Sequence, residues 1–236
     1  MLLEQQPAFI LHSRPYRETS LLIECLTRDA GRLGVVARGV RGQRSRVQRS
    51  QLEPFQPLLL NLQLRGELAT LRHAELSSSP LRLSGDAALA GLYINELVVR
   101  LTERQDPHPT IYALYAQVLD RLFIGESLGW QLRRFERDLL ACLGYAMQLD
   151  GEADSGEPLQ SDVVYAYRPE HGPIRCGATD LHALKGSVLS ALAEDRMPDV
   201  QGLQALRGMM RELIRFHLGG VELRAWRVFR GALARR

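Results

Sequence analysis

The spacing of apolar residues changes near residue 80, and this change constrains the fold more than any other feature of the chain. Before it, apolar runs of six to nine residues are separated by turn-forming residues, and 60–64 alternates between leucine and a polar residue. Such a pattern indicates short, half-buried strands. From Ser84 onward the apolar residues recur at helical spacing instead. The sequence therefore predicts an α+β protein with a strand-rich domain over 1–80 and a helical domain over 81–236.

The first domain is predicted to be a small barrel. Its five strands are expected at 8–13, 19–27, 32–37, 58–64 and 67–72. Gly31 lies in the turn between the second and third strands, where a positive φ suits glycine. Five strands in about 75 residues suit a closed barrel of the OB type. An SH3-like barrel would give the same strand count, so the spacing alone leaves that alternative open.

The second domain is predicted to be all-helical apart from one insert. Its helices are expected to begin near Ser84, Thr110, Ser127, 180 and 200, with Asp199 capping the last. The insert, at about 147–180, is acidic and rich in turn formers. Within it, 163–167 and 174–176 could form a small hairpin.

One segment of the first domain is unusually basic. Residues 38–49 carry five arginines and no acid, and apart from Val40 and Val47 they offer little to bury. Residues 1–80 as a whole hold eleven arginines against seven acids. Guanidinium groups bind phosphate well, so a basic loop on a small barrel favours nucleic acid as the ligand, although a solvated surface loop gives the same composition. The candidate DNA-binding residues are Arg14, Arg32, Arg38, Arg41, Arg44, Arg46 and Arg49.

No catalytic or metal-binding motif accompanies this basic segment. The phosphate-binding glycine motifs, the H-E-x-x-H motif and the G-x-S-x-G motif do not occur, and neither does C-x-x-C. We therefore predict no catalytic residue, no metal site and no cofactor. The three cysteines are scattered, and neither a signal peptide nor a membrane span is recognisable, so a cytoplasmic location is expected.

Several short motifs, taken in order, resemble the bacterial recombination mediator family RecO. They lie in the barrel region at 8–21, 31–33, 37–41 and 52–55, and in the helical region at 91–97, 132–136 and 143–145. The resemblance covers most of the chain. It implies an N-terminal OB-fold joined to a helical domain.

The resemblance also implies a non-enzymatic function in DNA repair and recombination. Members of this family bind single- and double-stranded DNA, anneal complementary strands and help RecA to displace the single-stranded-DNA-binding protein (SSB) in the RecF pathway, so a nucleoid association is expected. The implied protein partners are RecR and the acidic C-terminal tail of SSB. Many members hold zinc in the insert through four cysteines, but here only Cys176 remains there, so no zinc site is expected.

The helical domain offers one candidate site for the SSB tail. A groove for a tail of acids and a phenylalanine needs a basic rim and an apolar floor, which Leu132, Arg133 and Arg134 could supply. Two other functions stay open from the residues alone. One is a metal-dependent nuclease with scattered carboxylates, and the other is a protein-interaction scaffold whose DNA binding is incidental.

Overall fold

The computed structural model describes residues 1–40, 47, 49–177, 179–180 and 182–226. The chain packs into two compact units. The first contains residues 1–125 together with 223–226, and the second contains Glu126–Glu222. The first unit extends beyond residue 80 because two helices pack on the barrel. The predicted domain boundary at residue 80 stays a prediction.

Five strands form a closed barrel in the first unit, as predicted. They are β1 (Leu2–Tyr16), β2 (Ser20–Thr27), β3 (Gly31–Ala37), β4 (Leu58–Arg65) and β5 (Leu68–Leu76). Their order around the barrel is β1-β2-β3-β5-β4, and β4 closes on β1. The β3–β5 pair is parallel, with Val36 opposite Thr70, whereas the other pairs are antiparallel. The OB-type barrel expected from the sequence is therefore confirmed.

The first strand is longer than predicted. It begins at Leu2 rather than at residue 8 and passes through Pro7, whose missing N–H weakens any sequence signal for a strand. A bulge near Gln5, which has a φ of 49°, shifts its register against β4. The Asn61 side chain accepts a hydrogen bond from the Gln5 N–H at 2.8 Å. That side chain replaces the ladder bond that the bulge removes.

The barrel interior is filled by side chains. Alternate residues of the strands point inward, and Val40, Val47 and Leu52 add to the same core from the connection between β3 and β4. These three are at most 7% exposed. The basic segment is therefore held to the barrel at both of its valines.

Two helices pack on the outside of the barrel. They are α1 (Gly85–Leu101) and α2 (Pro109–Ile124). A Cβ on Gly91 would lie 2.7 Å from the Phe55 ring, so a glycine is needed where α1 approaches the barrel. The carboxylate of Glu96 accepts hydrogen bonds from the N–H groups of Arg224 and Ala225, at 2.9 and 2.8 Å. These bonds join 223–226 to the first unit.

The second unit combines helices with a small sheet. Its elements are α3 (Leu128–Cys142), β6 (Val164–Arg168), β7 (Gly172–Arg175), β8 (Leu184–Lys185), α4 (Gly186–Ala193) and α5 (Val200–His217). The β6–β7 hairpin was predicted, and so was the Asp199 cap, whose Oδ1 accepts a hydrogen bond from the Gly202 N–H at 2.7 Å. The two-residue strand β8 was not predicted, because it exists only through its pairing with β6.

The insert does not fit a four-cysteine zinc site. Cys25 lies in the barrel core and Cys142 on α3, which leaves Cys176 by itself in the insert. Instead, the Glu152 carboxylate accepts hydrogen bonds from the Arg175 Nε and the Tyr165 hydroxyl, both at 2.8 Å. These bonds, that of Arg175 above all, lower the pKa of Glu152 to about 2. The Glu152 carboxylate thus joins the first part of the insert to the β6–β7 hairpin that follows it.

Among the described residues, none of the helices combines the length and the apolar composition needed to cross a bilayer.

Candidate nucleic-acid interface

Part of the barrel's outer face is open to solvent. The strand register aligns Arg14, Leu22, Val36 and Thr70 in one row across β1, β2, β3 and β5. Their neighbours Leu21, Val35, Ala37 and Ala69 are buried in the core, so the row points outward. Leu22, Val36 and Thr70 are half-buried, and Arg14 is exposed. We call this row, together with Tyr16, the open face.

Arginines surround the open face. Arg17 follows Tyr16 in the β1–β2 turn, and its guanidinium carbon lies 5.2 Å from the centre of the Tyr16 ring. Arg38 follows the last residue of β3, at the same end of the strands as Tyr16. Arg14, Arg17 and Arg38 are all exposed, and among the described residues no ion pair joins any of them to an acid. Their charges therefore remain available to an anionic ligand.

Arg72 is directed to the open face by a bulge in β5. Asn61 pairs with His73 and Leu62 pairs with Leu71, which leaves Arg72 as the extra residue between them. Its guanidinium Nε donates to Gln63 Oε1 at 3.1 Å, and Gln63 lies opposite Thr70. A neutral amide orients this arginine without cancelling its charge.

The other half of the outer face is covered by α1 and α2. The Phe9 ring packs against Tyr112 and Tyr115, with ring centres 5.3 and 5.0 Å apart. Asn95 of α1 donates to the Leu11 carbonyl at 2.8 Å and accepts from the Tyr115 hydroxyl at 2.6 Å. These hydrogen bonds and ring contacts hold α1 and α2 against this half of the barrel and cover it.

Arg32 lies in the covered half and is engaged there. Its NH1 donates to Glu24 at 2.8 Å, its NH2 to the Thr102 carbonyl at 2.7 Å, and its Nε to the Thr102 hydroxyl at 3.1 Å. Arg104 binds the same Glu24 carboxylate from the solvent side. The Arg32 side chain is only 12% exposed. Arg32 is thus held by structural contacts, and the DNA-binding role predicted for it stays a prediction.

The connection between α1 and α2 also reaches two turns of the barrel. A Cβ on Gly31, whose φ is 67°, would lie 2.1 Å from the Asp106 carbonyl oxygen, so no other residue fits this turn. The Gln105 side chain donates to the Gly66 carbonyl of the β4–β5 turn at 3.5 Å. OB barrels bind ligands on β2 and β3 between the β1–β2 and β4–β5 loops. Here the connection between α1 and α2 contacts the β4–β5 turn, whereas the β1–β2 turn at 17–19 is exposed and carries no such contact among the described residues.

The remaining candidate arginines of the barrel divide into two groups. Arg49 is exposed in a short 3₁₀ helix, Arg49–Leu52, which leads back to the barrel. Arg41, Arg44 and Arg46 lie outside the described residues. The roles predicted for these four residues stay predictions.

The candidate residues for the SSB tail lie on α3. Arg133 is buried and pairs with Glu136, whose side chain is fully buried. The Arg134 guanidinium binds both oxygens of Asp195, through Nε at 2.7 Å and through NH2. Burial by itself raises the pKa of Asp195, but the hydrogen bonds and charges of Arg134 and Arg137 outweigh it and lower that pKa. Leu132 is half-buried. In this structure both arginines are therefore engaged inside their own unit, and the role in tail binding stays a prediction.

Sequence reasoning missed three residues, namely Tyr16 of the open face and the neighbouring Arg17 and Arg72. Tyr16 and Arg17 carried a usable signal, because an aromatic residue next to arginines in a barrel turn is typical of single-strand binding surfaces. Arg72 carried none, since its position depends on a bulge that the sequence does not reveal. In the described ranges, no three histidine, cysteine or acidic side chains lie close enough together to hold a metal ion.

The fold and this surface define an OB-barrel protein with an appended helical unit. Two family models match the chain, Recombination protein O N terminal over residues 1–80 and Recombination protein O C terminal over residues 82–227. Similar proteins named DNA repair protein RecO occur in Xanthomonas euvesicatoria (43% identity over 241 positions, covering both chains fully) and in Stenotrophomonas maltophilia strain K279a (42% over 240, also covering both fully). That of Xylella fastidiosa strain 9a5c is 43% identical over 231 positions, which cover 96% of this chain and 95% of the relative. The chain belongs to the RecO family of DNA repair proteins.

Proposed function

We propose that this protein is a recombination mediator that binds single- and double-stranded DNA, anneals complementary strands and assists the loading of RecA on SSB-coated DNA. It works on the nucleoid, in the RecF pathway, and it catalyses no covalent step. The observation that carries the proposal is the open face, where exposed arginines that have no ion pair among the described residues lie beside half-buried Leu22 and Val36. This is the part of an OB barrel that usually contacts oligonucleotides.

The chemistry of the open face suits a single strand of any sequence. Arginines at its edge contact phosphates, and such contacts carry no sequence information. Tyr16 offers a ring on which a base can stack, and Leu22 and Val36 offer an apolar surface beside it. Because phosphate binding releases counterions, affinity falls as salt rises.

Annealing requires a surface that lowers the repulsion between two strands without masking their bases. Arginines that bind only phosphate leave the pairing edges of the bases accessible. The basic segment 38–49 starts at the open face with Arg38, so its arginines would extend the same positive field toward a second strand.

The protein partners of the proposal are RecR and the acidic tail of SSB. Leu132, Arg133 and Arg134 remain the residues predicted to meet the tail. Arg134 suits this role better than Arg133 because its side chain is 18% exposed, against 7%. An acidic tail would have to compete with Asp195 for the Arg134 guanidinium.

The test is the annealing rate of two complementary oligonucleotides, each coated with SSB, with and without this protein and without ATP or metal. We expect faster annealing with the protein, and a loss of most of that gain when Arg14 and Arg38 are both changed to alanine. Unchanged annealing by the wild-type chain would contradict the proposal. Adding magnesium or manganese to one labelled strand tests the nuclease alternative, for which cleaved product is the expected sign.

A further inference from the structure

A second outward row of the barrel borders the open face. It lies two residues further along each strand and contains His12, Glu24, Gly34 and Leu68. Its members on β2, β3 and β5 alternate with core residues, so they point outward. We call it the border row. Gly34 is buried although it has no side chain of its own, so other residues must cover the barrel at this point.

Arg104 covers Gly34. A Cβ on Gly34 would lie 3.3 Å from the guanidinium carbon of Arg104 and 2.7 Å from a methyl carbon of Leu68. Arg104 belongs to the connection between α1 and α2, which forms an isolated β-bridge from Arg104 to Arg32. The Gln105 N–H also donates to the Arg32 carbonyl at 2.9 Å. The backbone of the connection is therefore fixed on β3, and Gly34 leaves room for the guanidinium on the strand.

One carboxylate of the border row is shared by two guanidinium groups. Glu24 accepts hydrogen bonds from Arg32 NH1 at 2.8 Å and from Arg104 through Nε at 3.4 Å and through NH2. The Arg32 side chain is 12% exposed, whereas that of Arg104 is 40% exposed. Two positive charges thus meet one negative charge, and the charge in excess is that of Arg104, on the solvent side.

The contact with Glu24 uses only part of the Arg104 guanidinium. This group has five N–H donors in a planar fork, and among the described residues its NH1 donates to no acceptor. Glu67 in the β4–β5 turn also attracts Arg104, but the exposed Arg65 of the same turn offsets this second acid. The outer edge of the Arg104 guanidinium, formed by NH1 and NH2, is the geometry that binds a phosphate through two hydrogen bonds.

We propose that Arg104 binds a backbone phosphate of a DNA strand that lies on the open face. Glu24 and Gly34 act as positioning residues, because the carboxylate holds the inner edge of the guanidinium and the glycine leaves space beneath it. The border row is about 7 Å from the open face along each strand, so one DNA strand can contact both. This inference rests on the proposed function and deepens it, since it adds a residue from outside the barrel to the DNA surface.

The test compares the salt dependence of single-strand binding by variants of the full chain. Fluorescence anisotropy with a labelled oligothymidine of about 15 nucleotides, within the usual range for OB-folds, gives the affinities. We expect R104A to bind about tenfold more weakly at low salt. Its slope of log affinity against log salt should be shallower by about 0.7, the value for one phosphate of a single strand. R104K should keep the slope but recover only part of the affinity, because lysine has no planar fork.

The matched control is R100A. Arg100 is an exposed arginine in the last turn of α1, so R100A removes the same charge and leaves the border row intact. Amide hydrogen exchange at Gln105 gives a readout that does not depend on affinity. Bound DNA should slow this exchange in the wild type and not in R104A, because the strand holds the connection through Arg104.

Three results would overturn this site. These are an R104A variant that binds like the wild type, an equal loss in R104A and R100A, and an R104K variant with unchanged affinity. Annealing of SSB-coated strands by the wild-type chain separates this test from that of the proposed function. If the wild type anneals strands while R104A binds them equally well, only the Arg104 site is wrong. If the wild type neither binds nor anneals DNA, the proposed function is wrong and this site is wrong with it.

Discussion

Both halves of the barrel's outer face carry arginine, yet they use it in opposite ways. In the covered half, Arg32 is enclosed by Glu24 and Thr102 and is 12% exposed. In the open half, Arg14 and Arg38 are exposed, and among the described residues they have no ion pair. The difference comes from α1, α2 and their connection, which pack on one half only. The same residue type on the same barrel thus serves structure in one place and is left available to a ligand in the other.

The largest effect is expected when α1 and α2, which cover one half of the barrel, are removed. A fragment of residues 1–80 would expose the apolar residues that α1 and α2 now bury, namely Phe9, Leu11, Leu26 and Phe55. Each costs about 2 kcal/mol to expose, and the sum approaches the whole stability of a small domain. We expect 1–80 to be unfolded or aggregated and 1–125 to melt cooperatively, as measured by circular dichroism and gel filtration. Cooperative melting of both fragments at one temperature would mean that the helices add nothing to the barrel.

A single substitution in the covered half should act on stability and not on DNA. The Arg32→Ala change removes two hydrogen bonds to Thr102 and one to Glu24, and we expect a loss of about 2 kcal/mol in the free energy of unfolding. Its control is Arg104→Ala, which removes a more exposed contact to the same Glu24 and should cost less than about 1 kcal/mol. Urea titrations give both values. A DNA affinity that fell tenfold in Arg32→Ala at unchanged stability would show that Arg32 belongs to the ligand surface.

These two halves also show which features of the fold and of the site could be predicted from the sequence. The strand count and turn residues were enough for a five-stranded barrel, because period-two alternation and Gly31 act locally. The motifs around Phe55 and Gly91 pointed to the RecO family, and they meet in the structure as the contact between the barrel and α1. Arg14 and Arg32 could not be told apart, since the partner that encloses Arg32 is Thr102, seventy residues away.

A paired substitution in the open half should show the reverse of the Arg32 result. Changing both Arg14 and Arg38 to alanine should leave stability within about 0.5 kcal/mol, because both side chains are exposed and without ion pairs among the described residues. Single-strand affinity should fall, and the slope of log affinity against log salt should become shallower by about 0.7 for each phosphate that the variant no longer neutralises. The matched control is Arg28→Ala, an exposed arginine that is paired with Asp29 at the far end of β2. Equal losses in the control and in the double variant would show that net charge, and not the open face, determines binding.

The smallest expected effect separates stacking from charge within the open half. Tyr16 is half-buried and lies under Arg17, so its ring can stack on a base without any change in the charge of the surface. Removing the ring by Tyr16→Ala should weaken single-strand binding by about 1 kcal/mol, the lower end of what one base–aromatic stack contributes. The salt slope should not change, because the arginines still neutralise the same phosphates. Tyr16→Phe keeps the ring and should bind like the wild type.

Duplex DNA provides the contrast. Its bases are already stacked, so Tyr16→Ala should leave duplex affinity unchanged. An equal loss of affinity for single strands and for duplex would mean that Tyr16 only positions Arg17. The open face would then bind DNA through its phosphates alone.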